Sequence, residues 1–272
     1  MIRRLPPVAF CALVLLGCRR SGADAPPLTP EARTAVASSS VASGPRLDAT
    51  RALATSSADT PLSSKWHIVV VSKSAISIDA GPPIVTLPFG ETRNGFYIAP
   101  LGDVLRAIDH GHELAFAFDP ATPYQLVTET LYTAAMTEIT SFHLAVRRNG
   151  ASTEFVSQPS SAANAQDASL GLFVLVGDAG TSIRVRGAYV GPGCELPRPN
   201  AVELSRKGVF DVEGLAACAA KLRARYPESD PRVVLGAGPS IPWQSIVRVA
   251  DALRASADGT PLFPKVEWGV PR

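Results

Sequence analysis

Two histidines flank a glycine, His110-Gly111-His112, with Asp109, Glu113 and Asp119 close by in the chain. Imidazoles and carboxylates are ordinary zinc ligands, but a zinc site gathers several of them at recognisable spacings, and no Cys, His or carboxylate set completes this one. The histidines read instead as a polar helix end, where cationic side chains suit the dipole. The three carboxylates read as solvated termini of a helix and the strand after it. His67 and His143 fall in runs that read as strands. Gly236-Ala237-Gly238 follows an apolar strand and precedes a helix, as a dinucleotide loop does. It lacks the third glycine and the downstream acid, and Pro239 and Pro242 remove N–H donors that a phosphate would use. The serines cluster in linker segments, without a G-x-S-x-G elbow or a base beside them. The expectation is no catalytic residue, no metal and no cofactor: the chain is not an enzyme.

The residues that do stand out are aromatic, and one local pattern carries both. "DPATPYQLV" (119–127) and "GPSIPWQSI" (238–246) share a proline, two residues, a second proline, an aromatic and a glutamine. Proline holds its own φ near the helical value and pushes the preceding residue toward extended geometry. Pro123 is therefore expected at the first helical position, with Thr122 as N-cap and Gln125 completing a capping box. Ile241 replaces Thr122 in the second copy, so a weaker cap is expected there. Apolar residues then recur at helical spacing: Tyr124, Val127, Leu131 and Ala134 in one copy, Trp243, Ile246, Ala250 and Leu253 in the other. Tyr124 and Trp243 each open a helix at a strand's end. An aromatic there is either an exposed anchor for a partner or the core anchor of its helix.

The elements that position these motifs recur too. "HIVVVSKSAISID" reads as a strand, a turn and a strand; "APLGDVLRAIDHG" as a helix stopped at Gly111; "ELAFAF" as a strand; the first motif starts a helix; "SFHLAVRR" closes the set. Residues 149–168 break the pattern as a linker does. The order then returns in "LFVLVGDAGTSIRVRG", "DVEGLAACAAKLRARYP", "RVVLGAG", "PWQSIVRVADALRA" and "PKVEWGV". The expected fold class is α+β: two tandem two-layer β-β-α-β-α-β domains, 66–148 and 169–272, each a small mixed sheet covered by two helices.

The 272 residues suffice for two such cores. A net charge of +2 with scattered arginines lacks the clustered basic face of a nucleic-acid binder. Residues 1–17 pair Arg3 and Arg4 with an apolar stretch, Val8 to Leu16, too short to cross a bilayer as a mature helix. They read as an export signal. Residues 18–65 hold Ala, Ser, Thr, Pro and charge without an apolar period, the composition of a disordered tether. As a coil it would reach about 35–40 Å. With Cys11 inside the signal, Cys18, Cys194 and Cys218 remain; the last two lie in the second half, in a compartment that permits a disulfide, and spacing leaves their pairing open.

Leu15-Leu16-Gly17-Cys18 resembles the lipobox of bacterial lipoproteins. The resemblance implies cleavage before Cys18 and acylation of that cysteine, and Arg19, not an aspartate, favours the outer membrane. Multiple acyl chains anchor firmly where one does not. The tandem unit in turn resembles the periplasmic domain of the ExbD/TolR biopolymer-transport proteins. Pro242-Trp243, Val247, Val249 and Asp251-Ala252-Leu253-Arg254 carry the likeness best; Pro123-Tyr124, Val127 and Leu131 carry it in the first copy. That family implies a small dimerising domain in an energy-transducing complex, with peptidoglycan contact in some members. Its members also carry a transmembrane helix with a proton-handling aspartate, and an acid of that kind is functional by default. The short signal stretch offers no such helix, so the proton-coupled role does not transfer.

The expected function is a non-enzymatic periplasmic lipoprotein, an interaction or assembly module of the cell envelope accessory to such a complex. It would be a monomer whose two copies pack as a pseudo-symmetric pair. Its partners would be an envelope protein and, through the anchor, the membrane, with no nucleic acid. The alternative is a peptidoglycan- or peptide-binding envelope protein without a transport link. For either, an edge strand could receive an extended peptide by β-augmentation.

Overall fold

Strand-type alternation and helix-type periodicity resolve into eighteen elements in the computed structural model, which describes residues 53–63, 66–79, 81–88, 93–108, 114–137, 139, 142–149, 151–159, 170–196 and 208–269. In chain order these are β1 (Thr60–Pro61), β2 (His67–Val71), β3 (Ala75–Ile78), β4 (Val85–Thr86), β5 (Arg93–Asn94), β6 (Tyr97–Ile98) and α1 (Ala99–Ala107). Then come β7 (Leu114–Phe118), α2 (Tyr124–Ala135), β8 (Phe142–Arg148) and β9 (Ala151–Pro159). The second half holds β10 (Leu172–Gly177), β11 (Gly180–Val185), β12 (Ala188–Tyr189), α3 (Val212–Arg225), β13 (Arg232–Ala237), α4 (Trp243–Arg254) and β14 (Lys265–Trp268).

The fold is mixed α/β, with mixed sheets of seven and five strands that meet edge to edge. In the first half β2 pairs antiparallel with β3 and parallel with β7, which pairs parallel with β8. In the second, β10 pairs antiparallel with β11 and parallel with β13, which pairs parallel with β14. β9 returns antiparallel along β8 and then pairs in parallel with β14 through Glu267↔Gln158 and Trp268↔Pro159, joining the strands into one hydrogen-bonded run.

The strand sequences follow from this burial. β7 is buried at every position and β2 at four of five, so neither alternates; strands covered on both faces read as continuous apolar runs. One face of the first sheet, with Val69, Val71, Phe116, Phe118 and Leu144, packs under the helices in a cluster that continues into the second half. The other face, Ile68, Val70, Ala115, Ala117 and Ala145, packs with Leu53 and Trp66. β10 alternates buried and half-buried residues, as a strand covered on one face does. α3 starts on Asp211, whose side chain accepts a hydrogen bond from the Gly214 N–H at 2.7 Å.

Three expectations change. The stretch 149–168, read as a linker, contains the nine-residue strand β9; Phe155 and Val156 gave too short an apolar signal to mark a strand whose pairing comes from β8 and β14. The tether does not run unstructured to residue 65: Leu53, Ala54, Ser56 and Ala58 are buried, and β1 pairs with β9. Apart from Leu53 these residues are small, so they carry little hydrophobic signal while their backbone makes the contacts. Finally, α2 begins at Tyr124 with Pro123, not Thr122, at its N-cap, and the capping box does not form. The Gln125 amide instead donates to Glu129 Oε1 at 2.8 Å. Cys18, the segment 1–52, the residues 160–168 and the cluster Asp109, His110, His112 and Glu113 lie outside the described residues.

Candidate functional site

Each proline-aromatic motif ends a strand and starts a helix, and a helix start leaves backbone N–H groups without intrahelical partners. Here each motif supplies the other's missing acceptors. The Tyr124 N–H donates to Ile241 O (2.9 Å) and the Gln125 N–H to Pro239 O (3.1 Å). Reciprocally, the Trp243 N–H donates to Thr122 O (2.8 Å) and the Gln244 N–H to Pro120 O (2.9 Å). Pro123 and Pro242 face each other at the centre as an antiparallel bridge. The four bonds have the self-complementary form of a two-fold interface: residue i bonds j, and the counterpart of i bonds the counterpart of j. The prolines therefore set the extended entry that aims two carbonyls outward at the opposite helix. The expected weakness of the Ile241 cap does not arise, because backbone of the other half caps both helices.

Tyr124 and Trp243 are both fully buried, which corrects the reading of them as exposed anchors for a partner. The Tyr124 hydroxyl crosses the seam to lie 3.0 Å from Leu235 O and 2.8 Å from Gly269 O, sharing its one proton between the carboxyl ends of β13 and β14. Trp243 packs its ring on Phe118 (5.2 Å between centroids) from the first half and on Trp268 (5.3 Å) from its own. The crevice outside the carboxyl ends of parallel strands, where open α/β sheets commonly take ligands, is here filled by protein. Thr122 Oγ1 and Trp243 Nε1 are buried there without hydrogen-bond partners among the described residues.

Burial drives the Tyr124 phenol pKa well above its ordinary value near 10. The sign follows: below about pH 10 both folded and unfolded chains keep the proton, whereas above it the unfolded chain loses the proton first. Stability should then fall by about 1.4 kcal/mol for each further pH unit until the folded phenol ionises too. Tyr124→Phe is expected to cost about 1–2 kcal/mol at neutral pH. It should also flatten that alkaline loss, which urea titrations of the two proteins at pH 8 and 11 would reveal. Equal alkaline losses would place the phenol outside the seam.

The other sequence candidates have structural roles. Cys194 and Cys218 are disulfide-bonded, with Cα atoms 5.4 Å apart, tying the loop after β12 to α3. His67 Nδ1 lies 2.8 Å from Asp79 Oδ2, and His143 Nδ1 lies 3.4 Å from Glu154 Oε2. Gly236 lies under Phe173, whose Cζ a side chain would meet at 3.2 Å. The Gly238 N–H donates to Val176 O, so both glycines serve packing and a turn. Among the described residues, no three of His, Cys, Asp and Glu are grouped to hold a metal ion, and no helix is long and apolar enough to cross a membrane. Sequence reasoning missed Gln244 and Asp251, whose side chains hold the backbone of residues 55–57. The repeated glutamine was visible, but not its use. No known protein family's model matches the chain, and no curated protein matches it.

Proposed function

We propose that this chain is a non-enzymatic, lipid-anchored envelope protein in which two ExbD/TolR-like β-β-α-β-α-β copies close on each other as a built-in dimer. It serves as an interaction or assembly module on the periplasmic face, the outer membrane being the favoured site. The supporting observation is the reciprocal pairing of the two proline-aromatic motifs, four backbone bonds related by exchange of the halves. A surface that single-copy proteins would use between chains is consumed within this one, leaving it to act as a monomer. The lipobox-like Leu15-Leu16-Gly17-Cys18 supports the anchor.

Light scattering on the full chain purified in detergent should return one protein mass per particle, and a stable homodimer would contradict the reading. Mass spectrometry of the mature N-terminus should find Cys18 acylated. Incubation with isolated sacculi separates this reading from wall binding: recovery in the unbound fraction supports a protein partner, and retention supports the alternative.

A further inference from the structure

The N-terminal segment before β2 is held in the manner of a peptide ligand. Gln244 grips both backbone groups of one residue: its Oε1 accepts from the Thr55 N–H at 2.8 Å, and its Nε2 donates to Thr55 O at 3.0 Å. Asp251, seven residues along α4 and so on the same helix face, accepts from the Ser57 N–H at 2.9 Å and the Ser56 hydroxyl at 2.8 Å. From the other half, the end of β8 adds two ladder bonds, Ser56 N–H to Arg147 O (3.0 Å) and Arg147 N–H to Ala54 O (2.9 Å). The segment thus bridges both halves, and nearly all its polar contacts use backbone.

Its side chains alternate as in a strand: Ala54, Ser56 and Ala58 are buried, while Thr55, Ser57 and Asp59 are exposed. The inward positions lie against protein and admit only small residues, because extra methylenes in a packed site force strain. Among the described residues, the first half lacks an equivalent device. By the motif correspondence Asp251 aligns with Tyr132, and the Gln125 amide is engaged by Glu129. The pair of clamping side chains, Gln244 and Asp251, therefore does not follow from the repeat.

We propose that Gln244, Asp251 and the Arg147 backbone form a binding site for an extended polypeptide with small residues at alternate positions, occupied in cis by Leu53–Ala58 and able to accept such a strand in trans once that segment is withdrawn. Recognition by strand addition with shallow alternate pockets is an established mode of peptide capture. The inference reaches beyond the proposed function and requires neither the family resemblance nor lipidation.

The test uses the full chain with a protease site inserted between Ser64 and Lys65, and a fluorescent peptide of the sequence 53–63 followed by anisotropy. The uncut chain should ignore the peptide, and the cut chain should bind it. Gln244→Ala or Asp251→Ala should weaken that binding by about tenfold, as should a peptide with leucine at the three inward positions. A cut chain that keeps its circular dichroism yet fails to bind, or binds the leucine peptide equally well, overturns the proposal. Should cutting unfold the protein, the uncut Gln244→Ala/Asp251→Ala variant decides. Faster amide exchange at Thr55 and Ser57, whose N–H groups Gln244 and Asp251 hold, without capture of the labelled peptide supports the clamp, whereas unchanged exchange or capture of the peptide contradicts it.

Discussion

Trp243→Ala should lower the free energy of unfolding by about 3–5 kcal/mol, the cost of emptying a fully buried indole site that cannot collapse. The indole lies between Phe118 and Trp268, whose positions are fixed by β7 and β14, so neither ring can move into the space without disturbing a ladder. Its Nε1–H has no hydrogen-bond partner among the described residues, so Trp243→Phe removes no bond seen there and should cost only about 1–2 kcal/mol of lost volume. A urea titration of the three proteins checks the ordering. The alanine variant should also broaden or split the transition, because the lost contact is one that makes the halves unfold together. An alanine variant within about 0.5 kcal/mol of the parent would mean that the indole is not enclosed.

Opening the Cys194–Cys218 bridge should cost about 3 kcal/mol, the loop-closure term for a cross-link spanning 24 residues. The bridge pins the loop after β12 to the middle of α3, where Cys218 is buried beside Leu215, Ala219 and Leu222. In a Cys194→Ser/Cys218→Ala variant the loop loses its covalent tie while the helix face stays apolar. Urea denaturation of the oxidised parent, the reduced parent and the variant should place the last two together and well below the first. Coincident midpoints for all three would show that the bridge contributes nothing to the folded chain.

Much of the architecture was legible because it rests on periodicity. Runs such as Leu114–Phe118 and Leu172–Gly177 are long enough to mark strands, and the spacing of Trp243, Ile246, Ala250 and Leu253 marks one helix face. The two-residue strands β4, β5, β6 and β12 were not, since pieces this short exist only through their neighbours. β9 was hidden for a related reason: it runs between two strands, and its own composition is largely polar. At the seam the repeated motif was plain, but its purpose was misread. A local rule assigns the orphan N–H groups to a side chain three residues away, whereas the fold assigns them to carbonyls more than a hundred residues distant. For Tyr124 and Trp243 the sequence left an exposed partner anchor and a core anchor both open, because sequence cannot say that the neighbour covering a strand end is the chain's own second half, and their burial decides for the core. Gln244 and Asp251 were invisible as a pair, since their target is main chain and main chain has no sequence signature.

The central claim is that the two motifs cap each other and so bind the halves into one cooperative body. Native-state hydrogen exchange of the Tyr124, Gln125, Trp243 and Gln244 amides measures this directly, since each of the four donates across the seam. All four should share one protection level, equal to that of the central strands β7 and β13, and should lose it together in Trp243→Ala. Rapid exchange at these amides while both sheets stay protected would mean that the halves fold separately and meet only loosely, contrary to this account.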